Sequence, residues 1–324
     1  MTIRRGFAAA VFAALLGAGF YRCQVQAQPG SLKQIVPGVW FREGDLRNLG
    51  HCNNILIEMK DYLVVVDANF PSGARLAMED ARKVSSKPVK YVFDTHHHGD
   101  HLYGNPVWTK AGATTLAYAG VAEELKRYEP RSWLAAAKER ADVRDLNLPT
   151  AEPPQQTFKD SPFVLTDGKR RVEFYFYGWA HTRGDGFVYL PNEKLICSGD
   201  AVVNGPYNFT GQGNLANWPN VIDQAMKLDF DRVLPGHGPP GGRDLMTGQK
   251  AFFVELRKAV AARIKAGRKL DELVSGPEGK KVAKLDLPAS VKNWIGADTL
   301  PAQVQDAYEE ITQNKPHGEI AGGK

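Results

Sequence analysis

Short runs rich in β-branched and aromatic residues recur along the chain and predict β-strands. They lie at 35–41, 54–59, 62–68, 91–95, 114–118, 171–178, 186–191, 194–200 and 232–236. Helices are predicted near 72–86, at 119–141 and at 245–268, where apolar residues recur at helical spacing. The segment 146–162 is rich in proline and polar residues, which predicts a surface loop.

The order of these elements predicts a layered α/β protein. Helices separate some of the predicted strands, whereas others follow one another directly as hairpin-like pairs. A purely doubly wound sheet would need a helix between nearly every pair of strands. We therefore expect a sandwich of mixed β-sheets with helices on the outside.

The first 27 residues have the pattern of a secretory signal. A start that contains Arg4 and Arg5 precedes an apolar run over 7–20, and residues 25–27 fit a small-residue cleavage pattern. The arginine pair also resembles a twin-arginine export signal. We expect a periplasmic or secreted protein without a stable membrane span after cleavage, the alternative being an N-terminal anchor helix.

Charge and cysteine content refine this picture. Three of the 41 basic residues and no acidic residue lie in the predicted signal, which leaves 38 basic against 36 acidic side chains. Nucleic-acid binding needs a clustered basic face, so we expect a small-molecule substrate and no nucleic acid. Cys52 and Cys197 lie in apolar runs and are predicted to be buried thiols, with a disulfide as the alternative.

A dense cluster of metal-ligand residue types lies at 94–101 (DTHHHGDH). His96, His98, Asp100 and His101 form an H-x-H-x-D-H pattern in a loop that follows a predicted strand. Imidazole and carboxylate are the ligands that zinc prefers when thiolate is absent. The pattern therefore predicts a metal site.

Three more residues of ligand type follow predicted strands. His181 lies in GWAHTRGD, Asp200 ends LICSGD, and His237 lies in LPGHG. Loops at strand ends carry catalytic groups in many scaffolds because a rigid sheet positions them. We expect these residues to complete a site that a single loop could not supply.

Together these motifs resemble those of the metallo-β-lactamase superfamily of metallohydrolases. Asp67, the cluster at 96–101, His181, Asp200 and His237 match its ordered motifs, over roughly residues 33–245. The resemblance implies a four-layer αββα sandwich of two mixed β-sheets with outer helices. Its domain would span 28–245, and residues 246–324 would form a C-terminal helical extension packed on the core.

The resemblance also implies two zinc ions, with iron as the alternative metal. Carried over by position, the ligands are His96, His98 and His181 for the first ion, Asp100, His101 and His237 for the second, and Asp200 as a bridge. Asp100 would in addition orient the attacking water as a catalytic residue. Asp67 matches the family's structural aspartate, although a turn residue at a strand end is an equal alternative.

The implied chemistry is hydrolysis, since zinc lowers the pKa of a bound water from about 15.7 to near 7. Aspartate at position 200 resembles the glyoxalase-II-like members rather than the lactamase branches that have cysteine or serine there. The leading hypothesis is an exported dinuclear zinc hydrolase of an ester, thioester, lactone or amide. The alternatives are a β-lactamase, a mono-iron enzyme like the persulfide dioxygenases, and a non-catalytic metal- or cofactor-binding protein.

Residues outside the metal motifs receive weaker predictions. The loop 204–217 should border the pocket, so Tyr207 and Asn208 are candidate substrate contacts, with loop packing as the alternative. His97 should point away from the metals, and His317 has no ligand context. The C-terminal extension could cap the pocket or form a dimer contact.

Overall fold

Two β-sheets form the centre of the structure, a computed structural model that describes residues 30–322. In this part of the chain the first sheet has seven strands in chain order, β1 (Leu32–Val36), β2 (Val39–Arg42), β3 (Asn54–Glu58), β4 (Leu63–Val66), β5 (Val89–Asp94), β6 (Thr114–Tyr118) and β7 (Gln156–Phe158). The second has five, β8 (Phe163–Thr166), β9 (Arg171–Phe176), β10 (Gly186–Leu190), β11 (Leu195–Cys197) and β12 (Arg232–Leu234). The predicted signal at 1–27 lies outside the described residues.

Both sheets mix parallel and antiparallel pairs. Strands β1 to β4 are antiparallel to their neighbours, and β4 to β7 run parallel. In the second sheet β8 to β11 are antiparallel, whereas β11 and β12 are parallel. Parallel neighbours require long crossover connections, which in this chain contain the helices within 71–84, 99–110, 119–144 and 218–225.

Helices cover the outer faces of both sheets. On the first sheet lie α1 (Pro71–Val84) and α3 (Asn105–Lys110), and on the second lie α7 (Trp218–Ala225), α8 (Arg243–Lys265) and α10 (Leu300–Gln313). The others are α2 (Gly99–Leu102), α4 (Ala119–Tyr128), α5 (Arg131–Glu139), α6 (Ala141–Arg144), α9 (Leu270–Leu273) and α11 (His317–Gly322). A short two-stranded sheet joins β13 (Val274–Ser275) and β14 (Val282–Ala283). Among residues 30–322 no helix is long and apolar enough to span a membrane.

The central strands are buried on both faces. In β4, Val64 and Val66 point between the sheets, whereas Leu63 and Val65 point toward α1 and α3. This two-sided burial explains why the strand is a continuous apolar run instead of an alternating one. Phe93 of the first sheet and Phe174 of the second meet with ring centroids 4.6 Å apart. The layer order is therefore αββα, which confirms the predicted fold class.

Several predicted element boundaries were wrong. The run 35–41 is two strands instead of one, because Pro37-Gly38 makes a turn in which Gly38 has a φ of 76°. The predicted helix at 119–141 breaks at Pro130, since the residue before a proline is driven out of the helical conformation. The segment 146–162, predicted as a loop, contains β7. This strand forms by pairing with β6, and the local sequence does not encode that pairing. Strand β8 was not predicted.

The C-terminal region is continuous with the outer helical layer. Helix α8 begins at Arg243, so the domain boundary predicted at 245 falls inside a single helix. Phe252, Phe253 and Leu256 of this helix are fully buried against the second sheet. That residues 246–324 form an extension distinct from the domain stays a prediction.

Both cysteines of the described chain are buried and unpaired, which confirms the prediction of buried thiols. Cys197 lies in the core between the sheets, and Cys52 lies next to the ligand loop. Burial raises the pKa of both thiols, so they are protonated at neutral pH.

We predict that Phe174→Ala lowers the free energy of unfolding by about 3–5 kcal/mol, because it leaves a cavity between the two sheets. Urea unfolding followed by circular dichroism measures the change. The control is Val254→Ala, since Val254 is 42% exposed on α8 and its loss should cost less than about 0.5 kcal/mol. Equal losses in the two variants would contradict the inter-sheet position of Phe174.

Candidate metal centre

The seven predicted ligands lie at one end of the sandwich, each after a strand. The loop after β5 carries the cluster at 96–101 and leads into α2, and the turn between β9 and β10 carries His181. Asp200 and His237 follow β11 and β12, which are parallel neighbours. Because the ends of parallel strands meet at one sheet edge, the fold brings residues that are far apart in sequence into one group.

Three imidazoles converge on a single point. Nδ1 of His98 lies 3.1 Å from Nε2 of His96 and 3.0 Å from Nε2 of His181. Tetrahedral zinc with Zn–N bonds of about 2.0–2.1 Å would place its ligand nitrogens about 3.3–3.4 Å apart. The three nitrogens therefore have nearly the spacing of one face of a zinc tetrahedron.

A second group lies beside the first. Nε2 of His101 and Nε2 of His237 are 3.3 Å apart, and Oδ2 of Asp100 lies 3.4 Å and 3.1 Å from them. Asp200 joins the groups, since Oδ1 lies 3.3 Å from His101 while Oδ2 lies 3.8 Å from His181. This donor set also fits a divalent cation, with one carboxylate placed between two positions.

The two groups differ electrostatically. Burial, reinforced by the neighbouring His98, lowers the pKa of His181 to about 3, so this ring is in the neutral form that binds metals. Burial also acts to lower the pKa of His237, but Asp200 and Asp100 outweigh it and raise the pKa to about 9. The two carboxylates thus hold a proton on His237, and a cation bound here would take the place of that proton, since a ligating imidazole is neutral.

Asp67 supports the ligand loop from behind. Its Oδ1 accepts a hydrogen bond from the backbone N–H of Thr95 at 2.8 Å, and its Oδ2 accepts one from Nδ1 of His101 at 2.9 Å. Asp67 also has a φ of 66°, as expected of a turn residue at a strand end. Asp67 is therefore both a support of the ligand loop and a turn residue. Its bond to Nδ1 of His101 leaves Nε2 of that histidine free to face the centre.

Two further partners of the ligands, Gln212 and the backbone of Phe209, were not identified from the sequence, whereas Asp185 was expected to be a supporting or turn residue and is one. Nε2 of His98 donates to Oε1 of Gln212 at 2.7 Å, and Nδ1 of His181 donates to the carbonyl oxygen of Phe209 at 2.9 Å. Asp185 accepts hydrogen bonds from the backbone N–H groups of residues 180–182 and so holds the turn that carries His181. No local motif marks Gln212, because its partner lies 114 residues away.

The predicted substrate contacts differ in exposure. Tyr207 is half-buried, with its ring centroid 6.3 Å from that of His237, whereas Asn208 is only 2% exposed. Phe209 is 52% exposed and meets His98 edge-to-face at 5.4 Å. The burial of Asn208 does not suit direct contact with a substrate, and the exposed aromatic residue of this stretch is Phe209. His97 stacks on Tyr128 and belongs to neither ligand group.

A family model described as the metallo-beta-lactamase superfamily matches residues 47–237, more than half of the chain. The chain belongs to the metallo-β-lactamase superfamily. Members of this superfamily are metal-dependent hydrolases that bind divalent cations, and the histidine and aspartate clusters described above suit that role. The predicted family is confirmed.

Relatives within the superfamily are distant and differ in what they are named for. The chain is 24% identical over 233 residues to metallo-beta-lactamase type 2 of Bacillus cereus, covering 67% of this chain and 79% of that protein. It is 25% identical over 194 residues to 2,4-dinitroanisole O-demethylase subunit alpha of Nocardioides sp. (strain JS1661), covering 58% of this chain. The match spans only about half, 53%, of the demethylase subunit.

Solved structures share the fold. A metallo-beta-lactamase from Pontibacter korlensis has a TM-score of 0.56 at 21% identity, over 69% of this chain and 98% of that one. A stereoselective inverting sec-alkylsulfatase from Pseudomonas sp. has a TM-score of 0.66 at 18% identity, over 86% of this chain and 50% of that one. At these identities the likeness establishes the fold and leaves the substrate undetermined.

We predict that Asp67→Asn weakens zinc binding by about 10–100-fold, because the amide no longer stabilises the tautomer in which Nε2 of His101 faces the metal. Competition with a chromophoric chelator measures the affinity. The control is Asp94→Asn, since Asp94 is buried at the end of β5 but bonds Asn105 instead of a histidine. If both variants weakened zinc binding equally, the effect would be general destabilisation of the strand ends.

Proposed function

We propose that this protein is an exported dinuclear zinc hydrolase that cleaves an ester, thioester, lactone or amide. One observation carries the proposal, the pair of adjoining donor sets that share Asp200. The first is made of three imidazole nitrogens about a common point, and the second of two imidazoles and two carboxylates. Adjoining donor sets of this kind suit a two-metal site, which is a recurrent arrangement in hydrolytic enzymes.

Zinc bound here would supply Lewis acidity and make a water molecule nucleophilic near neutral pH. The chain's own contribution is orientation. Asp100 is the more exposed of the two carboxylates, with its side chain 20% exposed against 8% for Asp200. We assign Asp100 the role of accepting a hydrogen bond from the attacking water, and Asp200 the role of holding the two positions together.

The rim of the site favours uncharged substrates. Residues 201–217, which follow Asp200, contain no charged side chain, and they supply the exposed ring of Phe209 beside His98. A neighbouring cavity of about 240 Å³ is lined by residues 43–48, Tyr207 and Gly238. Two acids and one arginine lie in that lining segment, so the rim offers no net positive charge to an anionic group.

A β-lactamase is the second candidate, because relatives and structural neighbours carry that name. Penicillins and cephalosporins carry a carboxylate. The uncharged segment 201–217 offers that group no basic side chain. The mono-iron alternative differs from the proposal in metal content, since it requires one iron ion instead of two zinc ions. The non-catalytic alternative differs in having no substrate turnover. The export part of the proposal rests on residues 1–27, and sequencing the N-terminus of the protein from a periplasmic fraction tests it, with cleavage before Gln28 expected.

We predict roughly two zinc ions per purified chain, falling to roughly one in both His98→Ala and His237→Ala, because each substitution removes a ligand from a different donor set. Elemental mass spectrometry gives the stoichiometry, and hydrolysis should fall to background in both variants. The control is His51→Ala, whose imidazole bonds Ser72 and lies outside both sets. About one iron per chain that is insensitive to His237→Ala would contradict the proposal.

We predict that para-nitrophenyl hexanoate is hydrolysed with a kcat/KM at least tenfold above that of the matching adipate monoester, whose acyl chain ends in a carboxylate. Phe209→Ala should lower the value for the hexanoate about tenfold, because an apolar contact worth about 1.4 kcal/mol is lost. The control is Leu134→Ala, which removes a comparably exposed apolar side chain from α5. Rapid turnover of nitrocefin, with equal hydrolysis of the hexanoate and the adipate monoester, would favour the β-lactamase hypothesis instead.

A further inference from the structure

Helices α10 and α11 hold one short segment of the site. This segment, residues 208–216, is here called the site loop. Its contacts with the two helices are Gln303 Nε2 to Asn208 O (2.7 Å), Thr210 Oγ1 to Asp306 Oδ2 (2.5 Å), His317 Nδ1 to Gly211 O (2.9 Å), Gly318 N to Gly213 O (3.0 Å), Leu215 N to Glu310 Oε2 (2.9 Å) and Ala216 N to Glu310 Oε1 (2.8 Å). The helices therefore bind the loop along its whole length.

The helix side chains that make these contacts are themselves buried. Gln303 is 1% exposed, Glu310 is 4% exposed, and Asp306 and His317 are each 7% exposed. A buried carboxylate is costly unless charge and hydrogen bonds compensate it. Arg257 of α8 supplies the opposite charge for Glu310, and two backbone N–H groups of the site loop donate hydrogen bonds to its carboxylate. The attachment is thus built into the protein interior.

The other side of the site loop faces the first ligand group. Oε1 of Gln212 accepts from Nε2 of His98, and the carbonyl oxygen of Phe209 accepts from Nδ1 of His181. Trp179 Nε1 in turn donates to the carbonyl oxygen of Gln212 at 2.9 Å and fixes its backbone. Two of the three histidines in this group therefore take their outer partner from the loop that α10 and α11 hold.

The second ligand group is supported differently. The outer nitrogen of His101 bonds Asp67, which directly follows β4 of the first sheet and does not belong to the site loop. A disturbance of the site loop should therefore reach the first group and leave the Asp67–His101 pair in place.

We propose that α10 and α11 form a positioning element for the first metal position, and that Gln212 is its positioning residue. Gln212 keeps the proton of His98 on Nε2, so that Nδ1 faces the other two histidines. The inference rests on the metal centre of the proposed function. It goes beyond that function because it assigns the C-terminal helices a role at the first metal position and none at the second. Partners of metal-bound histidines typically contribute 10–100-fold to metal affinity.

The test measures each position separately. In a His237→Ala background the first group remains intact, and adding Gln212→Ala should weaken zinc binding about 10–100-fold in a chelator competition. In a His98→Ala background the second group remains, and the same addition should leave the zinc affinity within about twofold. Gln212→Glu keeps an acceptor for His98 and should restore most of the affinity, whereas Gln224→Ala, at a partly exposed position of α7, should change neither affinity.

A second variant tests the helices themselves. Glu310→Gln keeps the shape of the side chain but weakens its bonds to the site loop, so it should lower zinc affinity in the His237→Ala background alone. Circular dichroism and thermal unfolding show whether the variants are folded, which separates a local effect from a loss of structure.

Equal weakening in both backgrounds, or no weakening in either, would overturn the positioning role while leaving the dinuclear site intact. An otherwise unmodified chain that binds zinc at neither position would overturn the proposed function and this inference together.

Discussion

Five imidazoles and two carboxylates converge at one end of the sandwich, and their crowding requires partners from the strand ends and from the outer helices. Ring nitrogens 3.0–3.1 Å apart cannot all satisfy one another, since two acceptors or two donors that face each other repel. A cation satisfies them together, and two carboxylates in the adjoining group supply its counter-charge. The fold makes this arrangement possible because β5 of the first sheet and β11 and β12 of the second end at the same end of the sandwich.

Holding such a cluster requires a layer of partners around it. Each ligand ring has one nitrogen toward the centre and another that needs an acceptor. For His101 the acceptor is Asp67, for His98 it is Gln212, and for His181 it is the backbone of Phe209. Because these partners come from different parts of the chain, the centre links the strand ends to the outer helices. Metal bound at this centre would therefore also stabilise the fold.

The substrate question depends on the rim and not on the ligands. Ligand sets of this kind recur across a superfamily whose members act on different compounds, so the shared fold does not identify the substrate. In this chain the rim combines an exposed ring at Phe209 with a segment, 201–217, that lacks charge. Those two features are the basis of the proposed preference for uncharged over anionic substrates.

The layered fold, the buried thiols, the superfamily and the residues that meet at the centre could be predicted from the sequence, because strand patterns and closely spaced ligands are local signals. The sequence placed neither β7 nor the break at Pro37-Gly38 correctly, and it left His317 without a role. Only the packed structure shows that Gln212 and the backbone of Phe209 support the ligands, and that Phe209, not Asn208, is exposed. Those outcomes depend on contacts such as His98 with Gln212, between residues more than a hundred positions apart. Such contacts leave no periodicity in the sequence, since they form only when the sheets and helices pack.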